Sequence, residues 1–394
     1  MRRILQGVAL ADQAGAFDLE LVEGRVAGIR PAQGEAPRRW LAMPSLVNPH
    51  AHANRAFAAA LLRPSSLGDA VASARKERLL ASAQDIHARA LRFFKRSLLH
   101  GVSAVRTHTD IDVVTGMRAI DGVRAAAGEV AAALDVEIVA FASAAADPAD
   151  PATQALFAAA VARGAHLIGA VPALCARPAQ SLDALLDAAL TLGVAVDVHL
   201  DEHLEVSAAL IERLVEGTRR RGLQGRVTLS HGCVLSALDR DSACRLLDRM
   251  AHARITLVVL PELNLYLQAR GSDSPRVRGL APVADALRAG VAVRFGTDNV
   301  RDWFFPFGDA DMLETGLVGA MATHVDDAEA LSGLICGGRR GIEIGDAADL
   351  LLVPAASFDD ALARRPAGRI LLRRGHAVDI AAASGEAPFV DAPD

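Results

Sequence analysis

From about residue 44 to residue 300 the chain alternates short apolar runs with Ala/Leu-rich stretches, and few folds accept that pattern repeated eight times. The apolar runs are Ser45–His50, Ser103–His108, Glu137–Phe141, His166–Val171, Ala195–Leu200, Val227–His231, Ile255–Leu260 and Ala292–Gly296. Between them, Gly122–Leu134, Ala152–Arg163, Ser181–Leu192, Val206–Arg221, Arg240–Ala251 and Pro282–Ala289 carry Leu, Val or Ala at three- and four-residue steps, the period of a helix with one buried face. Eight evenly spaced β/α units suit a closed parallel barrel, a TIM-like (β/α)8 architecture of the α/β class, better than the runner-up, a doubly wound open sheet. In such a barrel the chemistry sits at the C-terminal ends of the strands.

The two ends of the chain have another texture. Gly7–Ala11, Asp18–Val22 and Gly24–Ile29, then Asp349–Val353 and Arg369–Val378, are short strand-like pieces separated by Gly and polar residues. They predict a small β-sandwich domain built from residues 1–43 plus 341–394, with the barrel spanning 44–340. The connection from Ala53 to Leu99 is unusually long. It holds two helical runs, one around Ser73–Leu80 and one from Asp85 to Leu98, and is long enough to cover the barrel mouth. The tail after Ile380 is expected to fray.

Composition narrows the partners. Hydrophobic residues make up 52% of the chain, so a large core is available, and the net charge of −5 is spread over mixed acids and bases. That balance points away from nucleic acid and membrane surfaces as partners. Charged residues interrupt every apolar stretch before it reaches the length of a membrane span. Cys175, Cys233, Cys244 and Cys336 have no paired spacing, as expected of free thiols in a reducing compartment, and a cytoplasmic location is expected.

The last residues of the strands carry the chemistry. Strand one ends in His50-Ala-His52, whose side chains point the same way because strand side chains alternate faces. Strand five ends in His199-Leu-Asp201-Glu202-His203, strand six in His231, and strand eight leads into Asp298-Asn299. His50, His52, His199 and Asp298 suffice for a divalent transition metal with water completing the shell. Glu202, three residues beyond a ligand, is placed to move protons without binding the ion. His231 either polarises the bond under attack or is a structural core histidine. Only Lys76 and Lys95 are lysines, and neither ends strand four, where two-metal barrels bridge their ions with a modified lysine; one metal is expected. Arg55 faces either an anionic or carbonyl-bearing substrate group or a salt bridge within its loop. Trp303, with Phe304 and Phe305, forms either an aromatic wall for a flat ring or core contacts beneath the loop.

These residues resemble the amidohydrolase superfamily, specifically its cytosine deaminase-like branch. The resemblance rests on Asn48-Pro-His50-Ala-His52-Ala-Asn54-Arg55-Ala-Phe57, Gly101–Asp110, Val198-His199-Leu-Asp201-Glu202, Ser230-His231, Phe295–Trp303, Asn264–Arg270 and Gly345–Leu350, and so covers nearly the whole chain. It implies one Zn²⁺ or Fe²⁺ on His50, His52, His199 and Asp298, with catalytic roles for Glu202, His231 and Asp298. It further implies hydrolytic removal of an amino group from a small nitrogen heterocycle by a homo-oligomeric enzyme. The departures fall around the substrate. Ser143 stands where cytosine deaminases carry a longer glutamine, Asn299 where they have a second aspartate, and Asn54-Arg55 where Asp-Lys is common. Asn299 is neutral and can donate a hydrogen bond. The substrate-binding candidates are therefore Ser143, Asn299, Arg55 and Trp303, and the expected substrate is cytosine-like without being cytosine. The competing readings are a cyclic amide hydrolase of the hydantoinase or dihydroorotase kind and a catalytically inactive binding protein of the same fold.

Overall fold

The computed structural model describes residues 2–11, 13–33, 40–58, 67–143, 146–269 and 278–379. The tail after Ile380, Ala144 and Arg270 lie outside the described residues.

Four strands open the chain: β1 (Arg2–Leu10), β2 (Phe17–Val22), β3 (Arg25–Pro31) and β4 (Leu41–Pro44). The barrel strands follow as β5 (Leu46–Ala51), β6 (Val102–Ile111), β7 (Asp135–Ala142), β8 (Leu167–Ala170), β9 (Ala195–Leu200), β10 (Val227–His231), β11 (Thr256–Val259) and β12 (Ala292–Phe295). All their pairings are parallel and run in sequence order, β5 to β12. The ring closes where β5 meets the end of β12. Ala51 bridges Asp298, the Asp298 N–H donates to His50 O at 2.9 Å, and the Asn48 amide donates to Thr297 Oγ1 at 2.8 Å. Pro49 has no N–H to offer a ladder, so the Asn48 side chain supplies the cross-link beside it.

Helices cover the outside as expected: α1 (Leu67–Leu80), α2 (Ala83–Leu99), α3 (Arg118–Val130), α4 (Pro151–Ala162), α5 (Pro178–Leu192), α6 (Ala209–Arg220), α7 (Arg240–His252), α8 (Pro261–Leu267), α9 (Val283–Arg288), α10 (Met312–Thr323) and α11 (Ala328–Ile335). Helix α6 starts at Ala209 rather than Val206. The Asp201 carboxylate accepts the Ile211 N–H in its first turn, and Val206 is left exposed in the loop before it. Helix α2 starts at a capping box: Ser82 Oγ accepts the Asp85 N–H while Asp85 accepts the Ser82 N–H. Its face of Ile86, Ala90, Phe93, Phe94 and Leu98 is buried in the core.

The remaining strands, β13 (Leu350–Val353), β14 (Ile370–Arg373) and β15 (His376–Ala377), with helix α12 (Phe358–Arg364) between the first two, return to the N-terminal sheet. The result is one seven-stranded sheet ordered β15-β14-β13-β4-β1-β2-β3. A bulge between Leu5 and Val8 turns β1 from an antiparallel partner, β2, to a parallel one, β4. Gly7 occupies it at φ +64, with its N–H on Asp18 Oδ1. The two parts of the sheet share an apolar core of Val8, Leu10, Leu19, Leu21, Val26, Leu350, Leu352 and Leu372. Both termini thus build the small domain, and Ser45 alone separates its β4 from the first barrel strand.

Candidate metal centre and active-site cavity

His50 lies inside β5 and His52 just past it, His199 is the fifth residue of β9, and Asp298 follows β12 by three residues. All four are buried. One ligand atom from each lies within 4.8 Å of the others. His52 Nε2 and His199 Nε2 are 3.2 Å apart, and Asp298 Oδ1 is 3.3 Å from His52 Nε2 and 3.6 Å from His50 Nε2. Ligand atoms around a tetrahedral ion with bonds of about 2.0–2.1 Å are about 3.3 Å apart, so the donors stand at the spacing of a shared cation. His50 Nε2 and both Asp298 oxygens are buried without a hydrogen-bond partner, a cost that a cation would remove. Protonation favours the same conclusion. Burial and the Arg55 charge lower the His52 pKa, and burial among other imidazoles holds His199 well below its usual value. Against the cost of burial, the neighbouring histidines keep Asp298 ionised. Neutral imidazoles beside a carboxylate fit a divalent metal ion.

Behind the candidate ligands lies a support to which the sequence reading assigned no role. His50 Nδ1 is 2.8 Å from Ser230 Oγ, and Ser230 donates to Asp197 Oδ1 at 2.8 Å. Arg106 binds the other Asp197 oxygen at 3.0 Å, and His108 Nε2 lies 3.2 Å from Oδ1. This chain aims Nε2 of His50 at the site and fixes its ring plane. His108, Asp197 and His50 also fall within ligand distance of one another. Burial lowers the His108 pKa to about 3, so it is neutral. The available signal was alternation: Asp197 shares a strand face with His199.

In front of the ligands is a cavity of about 630 Å³. Glu202 and His231 line it beside His52, His199 and Asp298. Glu202 Oε1 is 3.8 Å from His231 Nδ1, and His231 Nε2 is 3.7 Å from Asp298 Oδ2. Burial, then the Asp298 charge, pushes the Glu202 carboxyl up to about 8, whereas burial lowers His231 to about 3. The Asn264 amide donates to His231 Nδ1 at 3.2 Å, which leaves the ring proton on Nε2, facing the ligand cluster. His231 and Asp298 adopt left-handed backbone conformations, φ +74 and +59, uncommon outside glycine, and the Asp298 N–H is tied to His50 O at the barrel closure.

The substrate-side candidates divide. Arg55 lines the cavity but is clamped by both oxygens of Asp110, at 2.6 and 2.7 Å, and lies 5.5 Å from the Phe304 ring centroid. Although burial opposes it, Arg55 holds Asp110 down at about 2. Ser143 is away from the cavity lining, its hydroxyl bound by Arg78 of α1. Trp303 is also off the lining, and Phe304 takes that place. Asn299 lines the cavity and commits one amide N–H to Asp302; its second N–H and its carbonyl oxygen make no hydrogen bond with a described residue. The long first connection does reach the mouth: Gly68, Val71, Ala74, Arg75 and Arg78, on one face of α1, form a wall of the cavity.

A parallel barrel with buried histidines and a carboxylate at its C-terminal mouth defines a metal-site hydrolase scaffold. Residues 52–375 match the model of the amidohydrolase family, and the chain belongs to that family. Its structure is similar to that of 5-methylcytosine deaminase from Klebsiella pneumoniae, solved with 5-fluorocytosine, at a TM-score of 0.86 and 26% identity over 95% of this chain and 97% of that one. The N-isopropylammelide isopropyl amidohydrolase of Pseudomonas sp. (strain ADP) is 25% identical over 90% of this chain and 91% of its own. The pterin deaminase of Rhizobium rhizogenes is 31% identical over 182 residues, which are 43% of this chain and 41% of that protein. Among the described residues no helix is long and apolar enough to cross a membrane.

Proposed function

We propose that the protein is a metal-dependent hydrolase that replaces an exocyclic amino group of a small nitrogen heterocycle with oxygen, releasing ammonia or an amine. The observation that carries this reading is the convergence of His50, His52, His199 and Asp298 at one end of a cavity that Glu202 also lines. A single Zn²⁺ or Fe²⁺ on those four residues would lower the pKa of a water toward neutrality and so supply the nucleophile. Glu202 carries its proton at neutral pH and gives it to a ring nitrogen; the emptied carboxylate then takes up a water proton and passes it to the leaving amine. The net change is one water consumed and one C–N bond exchanged for C–O. His231, neutral and with its proton on Nε2, donates a hydrogen bond to the oxygen entering at the attacked carbon. Asn299 meets the ring with its carbonyl oxygen and its remaining N–H and so reads a hydrogen-bonding edge of the heterocycle. Relatives named for deamination of 5-methylcytosine and pterin support this class of substrate. The four free cysteines are in keeping with a cytoplasmic enzyme.

The test is amine release from aminopyrimidines, aminotriazines and pterins by protein loaded with zinc or iron, followed alongside ring opening. Ammonia or amine with the ring intact is expected. Ring opening without amine release would replace this reading with a cyclic amide hydrolase. Glu202→Gln is expected to keep one metal per chain while turnover falls by about 10²- to 10⁴-fold; undiminished turnover would remove Glu202 from the mechanism.

A further inference from the structure

The ligand end of the cavity is balanced by what it binds, but the α1 wall is not. Three guanidiniums line that side: Arg55, Arg75 and Arg78. Carboxylates answer two of them, Asp110, Asp302 and Asp298 acting on Arg55 and Asp110 and Asp112 on Arg78. Asp110 clamps Arg55 and lies 3.9 Å from Arg78, and Asp112 is 3.0 Å from Arg78 Nε. Arg75 makes no ion pair or hydrogen bond with any described residue, although it sits one turn before Arg78 on the same helix face. Asp201, Glu202 and Asp298, also in the lining, belong to the opposite need: Asp201 pairs with His203 at 3.5 Å and the other two serve the metal end. At about 630 Å³ the cavity is also of the size that encloses ligands well beyond a bare pyrimidine.

We propose that Arg75 and Arg78 form a subsite for a carboxylate carried on the heterocycle, so that the substrate is an amino-substituted ring bearing an acidic arm. This rests on the deaminase reading only for the ring. Arg78 is held in place by Asp112 and the Ser143 hydroxyl and presents a fixed guanidinium edge; Arg75 closes over the ligand from the more exposed side. The guanidinium of Arg75 is the one left without a partner among the described residues, and its single positive charge suits a singly charged carboxylate better than a phosphate dianion. Ser143 then acts on the substrate only through Arg78.

Matched pairs test this: pterin against pterin-6-carboxylate, and isocytosine against its ring carboxylate, with a ring phosphate ester as a third member. Calorimetric binding to metal-loaded Glu202→Gln protein reads the subsite without requiring turnover. The carboxylate member is expected to bind at least about tenfold more tightly than its parent, an advantage in line with a charge-assisted contact. Arg75→Gln should collapse that ratio towards one, and Arg75→Lys should recover part of it. In active protein the preference should appear in KM rather than kcat. Equal binding of parent and carboxylate, a ratio unmoved by Arg75→Gln, stronger selection of the phosphate, or no binding of the carboxylates would each overturn the subsite. If the carboxylates bind in an Arg75-dependent way and no compound releases amine, the subsite stands and the deaminase reading falls.

Discussion

The two ends of one cavity are built on different principles. At the metal end the four candidate ligands stand on a barrel strand or within three residues of one and are buried, and His50 is held by Ser230, which is itself held by Asp197. The α1 wall comes from a 14-residue helix inserted between the first two strands, and its Arg75 and Leu80 are exposed. One end is built from the barrel strands themselves; the other can change its side chains without disturbing the barrel. The proposed chemistry thereby lies on the rigid scaffold and the proposed recognition on a connection, as in many barrels whose loops vary while their strand ends do not.

The comparison breaks most sharply at the metal end. Asp298→Ala is expected to abolish stoichiometric metal binding, measured by elemental analysis, and turnover with it; metal retained at one per chain would mean that the ion sits elsewhere. Next comes the support behind the ligands. Ser230→Ala frees the His50 ring and should weaken metal affinity about 10- to 100-fold in a chelator competition, with the fold intact by circular dichroism. An unchanged affinity would show that packing alone orients His50. The smallest effect lies at the junction of the two ends, where Asp110 fastens Arg55 and Arg78. Its folded pKa, about 2, is below its unfolded value of about 3.9, so its contribution is present above the unfolded value and is lost as the pH falls through about 2. Asp110→Asn should therefore cost about 2 kcal/mol at pH 7, read by denaturant unfolding, and the difference from the parent should shrink toward pH 2. A cost independent of pH would make the loss one of packing rather than charge.

The convergence of the four candidate ligands was readable from sequence. His50-Ala-His52, His199 and Asp298 each follow an apolar run, and strand periodicity plus the barrel rule put strand ends at a common mouth. The support was not readable in the same way. Ser230 and Asp197 are 33 residues apart on neighbouring strands, and only the parallel register, which sets Ser230 against His199, makes them meet. The α1 wall was less legible still. Arg78 reaches Ser143 across 65 residues, which turns a proposed substrate contact into the anchor of another, and Phe304 rather than its neighbour Trp303 faces the cavity.

By itself the sequence determined which elements form, in what order, and which donor atoms stand at their ends. These follow from apolar period, turn residues and side-chain chemistry, all local quantities. Tertiary structure decided what each donor has left to give. Asn299 keeps its carbonyl oxygen and one N–H because Asp302 takes the other N–H, and Arg55 is committed because Asp110 faces it. Arg75 remains available because nothing described faces it. The physical reason is that hydrogen bonds and ion pairs are satisfied by whatever lies within about 3 Å in space, and the spacing of residues along a chain does not record that distance.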